Sequence, residues 1–171
     1  KARQLFLESA HNNLVVHVAA SMGPYGAFLA DGSEYTGAYN SSDQDLHRFH
    51  KSRIDLLQAS KADFFAFETI PSLQELRVLS ELLNTSSKPS WISFSCKDDM
   101  YLNDGHKISE AATLIANHPA VFAIGVNCTA PKYITEIIGK LKKYAPEKRL
   151  IVYPNSGEVY HVKSKSWFGV S

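Results

Sequence analysis

Cross-links cannot hold this chain together. Cys96 and Cys128 are its only cysteines, too few for a disulfide framework, and a reducing compartment keeps both as thiols. No apolar run approaches the roughly 20 residues that a membrane-spanning helix needs. The opening KARQLFLESA reads as an amphipathic helix rather than a signal peptide. The expected setting is therefore cytoplasmic, with no membrane partner. An excess of one charge is lacking too: 18 Lys and Arg stand against 17 Asp and Glu, for a formal net charge of +1. With no basic stripe or acidic tail, nucleic acid is not an expected partner. There is no repeat of fixed period, no low-complexity tract and no linker between two charge regimes, so residues 1–171 are read as a single domain.

What is present is ordinary globular composition, 44% hydrophobic and 20% charged, enough for one sizeable core. Apolar runs at 14–20, 63–67, 91–95, 121–127 and 150–153 read as strands. Helical patterns alternate with them. Leu46, Phe49, Ile54 and Leu57 lie near one helix face behind the entry signal Ser42-x-x-Asp45. Ser72-x-x-Glu75 predicts a capping box ahead of Leu76, Leu79, Leu82 and Leu83. A shorter helix is expected over 109–116, and another after Pro131 with Ile134, Ile137, Ile138, Leu141 and Tyr144 inward. Such alternation predicts right-handed crossovers and a parallel sheet, either doubly wound or part of a (β/α)8 barrel; periodicity alone leaves that choice open. The stretch 21–42, SMGPYGAFLADGSEYTGAYNSS, shows neither period and is expected to be a long functional loop.

Parallel sheets carry their chemistry at the carboxyl ends of the strands. Read to those ends, the chain offers Ser21, then Glu68 and Thr69, then Ser95 to Asp98, then Asn127 and Cys128, then Pro154 to Glu158. Glu68 ends the apolar FFAF run, where a core would reject an unpartnered charge. It is either a binding carboxylate for an ammonium group or a metal, or a structural one accepting backbone N–H groups. Cys128 admits three readings: a small hydrophobe, a metal ligand or a nucleophile. No histidine stands at a strand end to serve as the base that a nucleophile needs. Cys96 is read as structural. Tyr25, Tyr35, Tyr39, Phe94, Tyr153 and Tyr160 are expected near the mouth, as loop packing or as a cage for a cation. His161, Lys163 and Lys165 are read as solvated, and Lys140, Lys142 and Lys143 as a wet helix end.

Along nearly its whole length the sequence resembles the homocysteine S-methyltransferase family, in the branch that uses S-methylmethionine or S-adenosylmethionine. The stretches that carry the resemblance are SMGPYGAFLADGSEYTG (21–37), FHKSRIDLL (49–57), FETIPSLQE (67–75), WISFSCKD (91–98), LNDGHKI (102–108), IGVNCTAP (124–131) and VYPNSGEVY (152–160). The resemblance implies a zinc-binding (β/α)8 barrel that passes a methyl group from a sulfonium to homocysteine, giving methionine. It implies Cys128 as the first of three zinc cysteines and Glu68 as the carboxylate for the homocysteine amino group. Asn127 is assigned to the substrate site by adjacency. The adjacent cysteine pair that supplies the family's other zinc ligands is missing after Tyr160, and so is the glycine-rich opening strand. The chain is thus expected to be an incomplete barrel, about strands three to seven, inactive alone. The alternatives are a non-catalytic piece that binds a partner or completes a barrel in trans, and a Cys128-dependent hydrolase. Donor choice and oligomeric state are not legible.

Overall fold

In a computed structural model, residues 4–5, 16–157, 159–161 and 166–169 are described. The helix expected over the opening ten residues lies outside them, apart from Gln4 and Leu5, which are helical. Strands β1 (Ala19–Met22), β2 (Phe64–Ile70), β3 (Ser90–Phe94), β4 (Val121–Asn127) and β5 (Arg149–Tyr153) form one sheet whose spatial order is the chain order. Every pairing in that sheet is parallel. The order settles what periodicity left open. A doubly wound sheet reverses direction at a switch point, whereas strands added one after another at the same edge, with crossovers of one hand, put all helices on one face. That is the arrangement of consecutive barrel staves.

Between the strands run α2 (Asp43–Gln58), α3 (Leu73–Leu83), α4 (Ile108–Ile115) and α5 (Ile134–Tyr144), each in contact with the next. Phe65, Phe67, Ile92, Phe94, Ile124 and Val126 alternate along the strands and pack with Leu76, Leu79, Ile108 and Ile137 of the helices in one continuous core. The opposite face is different. Its lower part holds the rings of Phe64, Trp91 and Phe122, with Phe64 5.1 Å from Trp91 and 5.6 Å from Phe122. Its upper part is polar. At Gly125 a Cβ would stand 1.8 Å from the Ile151 carbonyl oxygen, so only glycine admits the observed approach of β4 to β5.

Several expectations shift. β1 starts later than the apolar run predicts, and residues 14–15 of that run lie outside the described residues. β2 runs three residues past Phe67, so Glu68 stands within the strand. α2 has the predicted capping box, Ser42 and Asp45 satisfying each other's backbone N–H groups. At α3 only half of the box forms: Ser72 accepts from the Glu75 N–H, but the Glu75 side chain turns inward. Tyr144 is 39% exposed rather than inward, while Leu141 and Ala145 near it are fully buried. The segment 21–42 is not a featureless loop. It contains α1 (Tyr25–Leu29), closed by Ala30 in the left-handed region, and a 3-10 turn (Ser33–Tyr35) that follows Gly32 at φ 87°. Near the end of the chain, β6 (Val159–His161) and β7 (Ser166–Phe168) form an antiparallel pair that the sequence pattern does not predict. Lys163 and Lys165 lie outside the described residues. No helix among the described residues is long and apolar enough to cross a membrane.

Candidate active site

The polar part of the inner face is built by period-two alternation. Ser21 on β1, Glu68 on β2, Ser93 on β3, Asn127 on β4 and Tyr153 on β5 face one space and bond across the strands. Glu68 accepts at both oxygens, Oε1 from the Tyr153 hydroxyl at 2.7 Å and Oε2 from the Ser21 hydroxyl. Burial first, and the Glu68 carboxylate as a smaller contribution, push the Tyr153 phenol above its ordinary value, so it stays a donor. Ser93 bridges Tyr153, at 2.7 Å, to Asn127 Oδ1, at 2.8 Å.

Asn127 is 2% exposed, and its amide is occupied on both sides. Oδ1 accepts from the Thr69 N–H at 2.9 Å; Nδ2 donates to Thr69 Oγ1 at 2.7 Å and to Cys128 Sγ at 3.2 Å. A backbone N–H can only donate, which fixes the oxygen as the end of the amide that faces the Thr69 N–H. The Thr69 hydroxyl also reaches Cys128 Sγ, at 3.6 Å. Both residues at this junction hold a left-handed backbone, Thr69 at φ 64° and Cys128 at φ 48°. For a β-branched residue such a φ is a true outlier, and strain of this kind gathers where side chains must be aimed rather than packed. Here it turns the Cys128 sulfur, partly exposed, off the end of β4 and toward the opening.

The opening is a cleft of about 320 Å³. Glu68, Thr69, Asn127 and Cys128 form its floor, while Pro24, Glu34 and Tyr35 come from the segment above. Among the described residues it is lined by two carboxylates and a thiol, with no Lys, Arg or His. The three residues singled out from the sequence, Glu68, Asn127 and Cys128, thus stand together. Thr69 was within sight as the residue after Glu68, and Ser93 could have been found from the alternation of Trp91, Ser93 and Ser95 in an otherwise apolar strand. Glu34 carried no periodic signal.

The sequence and the fold match known proteins. The profile of the family described as Homocysteine S-methyltransferase matches residues 1–170. The chain belongs to the homocysteine S-methyltransferase family. It is 44% identical over 155 residues to Homocysteine S-methyltransferase YbgG of Bacillus subtilis (strain 168), covering 90% of this chain and 49% of that protein. It is 46% identical over 154 residues to Homocysteine S-methyltransferase 4 of Zea mays, covering 88% and 45%. The metallated crystal structure of the homocysteine methyltransferase MmuM from Escherichia coli superimposes with a TM-score of 0.84 at 39% identity, over 91% of this chain and 54% of that one. The chain therefore spans about half the length of these family members, and its sheet is an incomplete (β/α)8 barrel.

Other expected features fall elsewhere. Cys96 is buried, with its thiol pushed up to about 12 by burial first and Asp98 second. It stays structural, its N–H donating to the Thr129 hydroxyl. Of the aromatic residues, Tyr35 lines the cleft, Tyr153 stands on the inner face, and Phe94 is fully buried on the helix side. Tyr25 and Tyr39 pack edge-to-face with each other at 5.8 Å, and Tyr25 with Phe49 at 5.1 Å. The side chain of Tyr160 lies outside the described residues.

Proposed function

We propose that the protein to which this chain belongs transfers a methyl group from a sulfonium donor, S-methylmethionine or S-adenosylmethionine, to the sulfur of homocysteine, giving methionine. The observation that carries this reading is the convergence of Cys128 and Glu68 on one cleft at the carboxyl ends of parallel strands, in a chain of the homocysteine S-methyltransferase family. The metal we assign is zinc. A thiol turned toward an opening by a strained corner is a soft donor that suits it. Among the described residues no group of three or more His, Cys, Asp or Glu could hold a metal ion; of these residues, Cys128 is the ligand we assign. When bound, zinc would keep the substrate sulfur as thiolate at neutral pH, where a free thiol of pKa about 8.5 is mostly protonated.

The rest of the work falls to the chain's own side chains. Glu68 takes the homocysteine ammonium group, using lone pairs that Tyr153 and Ser21 leave free while fixing the carboxylate in place. Asn127, in the floor of the cleft and bonded to Thr69, Ser93 and Cys128, belongs to the substrate site and holds those groups in register there. In the transfer the bond between donor sulfur and methyl carbon breaks with its electron pair passing to the donor sulfur. A lone pair of the homocysteine thiolate forms the new bond in line. The leaving group departs as a neutral thioether, so no general acid is needed. Catalysis is then mainly alignment of the two sulfurs. A cytosolic setting suits a site that needs Cys128 reduced.

The test is Cys128→Ser in the full-length protein. The expected result is loss of bound zinc, measured by elemental analysis, together with loss of methyl transfer. Zinc content and rate both at wild-type level in that variant would remove Cys128 from the site.

A further inference from the structure

Two carboxylates face the cleft, and they are not in the same state. Both oxygens of Glu68 are engaged, by Tyr153 and by Ser21. Glu34 Oε2 is buried and has no hydrogen-bond partner, although Glu34 lines the same cleft. A carboxylate oxygen taken out of water without a partner is costly unless positive charge is brought to it, and among the described residues the cleft lining includes no Lys, Arg or His to do so.

We propose that Glu34 is the counter-charge that selects a cationic methyl donor over a neutral compound of the same shape. The proposal rests on the reading of the site given above. A sulfonium centre carries no N–H or O–H, so hydrogen-bond geometry cannot recognise it; a fixed negative charge can. An unpaired carboxylate on the wall away from Glu68 leaves the two substrates separate handles, Glu68 for the acceptor amino acid and Glu34 for the donor cation. A donor rich in carboxylates would meet like charge here.

Glu34 is held where the role needs it. It sits in the 3-10 turn Ser33–Tyr35, and a Cβ at Gly26 would stand 2.4 Å from the Glu34 nitrogen, so α1 packs directly on the turn. Asn103 Nδ2 donates to the Glu34 carbonyl at 3.4 Å. The segment on either side is pinned by one fully buried carboxylate. Glu75 accepts from the Tyr25 N–H at 2.7 Å and from the Tyr39 hydroxyl at 2.8 Å, with His50 Nε2 at 2.6 Å. Preorganisation of this kind lets one charge discriminate.

The experiment compares two ligands on the full-length protein freed of metal by chelation, by calorimetric titration: S-methylmethionine and its carbon isostere 2-amino-5-methylhexanoic acid, in which CH replaces the sulfonium sulfur. Both keep the amino and carboxyl groups, so their ratio of dissociation constants isolates the sulfonium charge. The wild type should prefer the sulfonium by about tenfold to a hundredfold, the worth of one charge-assisted contact. Glu34→Gln should lose most of that preference, and Glu68→Gln should keep it. Should Glu34→Gln not fold by thermal melting, Glu34→Asp, whose carboxylate falls one methylene short, must show a reduced preference instead. No preference in the wild type, including failure to bind the sulfonium, or a preference surviving in the Glu34 variant, overturns the proposal. Methyl transfer by the zinc-loaded wild type is scored separately. Its absence removes the proposed function whatever the ligand ratio, and its presence beside an unaltered ratio in Glu34→Gln removes only the role of Glu34.

Discussion

Replacing Asn127 by alanine should loosen the junction of β2 and β4 by an amount the geometry sets. The side chain makes three bonds of ordinary length, to the Thr69 N–H at 2.9 Å, the Ser93 hydroxyl at 2.8 Å and Thr69 Oγ1 at 2.7 Å, each worth about 1 kcal/mol net. Leaving the Thr69 N–H without its acceptor adds about 1–2 kcal/mol. Ser93 loses less, since its hydroxyl still has Tyr153. Against this, Thr69 at φ 64° would be free to relax, returning about 1 kcal/mol of backbone strain. The balance is a loss of about 3–4 kcal/mol, read from equilibrium urea unfolding of the metal-free full-length protein at unchanged m value. Asn127→Asp separates the two halves of the amide. It keeps an acceptor for Thr69 and Ser93 but puts negative charge beside the Cys128 sulfur, where an N–H stood at 3.2 Å, and should recover no more than half of the loss. A loss below about 1 kcal/mol for Asn127→Ala would show that the strained corners are held by something else.

Two further outcomes follow from the same structure. Gly125→Ala should destabilise by about 2 kcal/mol or more, because its methyl would fall 1.8 Å from a backbone oxygen of the next strand and overpacking against backbone has no cheap relief; a thermal melt matching wild type would mean that β5 is free to move. Iodoacetamide at pH 8 on the folded metal-free protein should label Cys128 and spare Cys96, as peptide mass mapping can score. Cys96 is buried with its thiol pushed up to about 12, so its nucleophilic thiolate form is scarce until pH nears that value; equal labelling of both would contradict the placement of Cys96.

The alternation of strands and helices was legible because each run carries its own period, and the helix-facing strand residues Phe65, Phe67, Ile92 and Phe94 are where those periods put them. The corners were legible for a different reason: apolar runs that give way to Glu68-Thr69 or Asn127-Cys128 announce where the core stops. What escaped was decided across distance. Ser72-x-x-Glu75 has the local form of a capping box, yet Glu75 abandons its backbone partner for His50 and Tyr39, residues 25 and 36 positions away, whose joint burial no local pattern encodes. For the same reason 21–42 read as loop. The five residues of α1 are too few to show helical periodicity and too few to hold a helix in water; they persist because Glu75 takes the Tyr25 N–H and the lack of a side chain at Gly26 lets the turn close over them.

That dependence links the fold to the chemistry of the cleft. The floor is anchored differently: the parallel ladder sets Asn127 opposite Tyr153, while Glu68 and Thr69 lie where the β2–β3 register shifts and are tied down by Tyr153 and Asn127. The wall, with Glu34 and Tyr35, reaches the same cleft on a segment held by Asn103 at the Glu34 carbonyl and by a buried hydrogen-bond cluster centred on Glu75. Breaking one bond of such a cluster exposes the full desolvation penalty of the charge left behind, so the wall should be either fully docked or released as a unit. Floor and wall then answer to different parts of the sequence. On the function proposed above, changes on β2 and β4 should act on metal and acceptor binding, whereas changes at Tyr25, Tyr39, His50 or Glu75 should act on the donor, though none of these four is in the cleft lining itself.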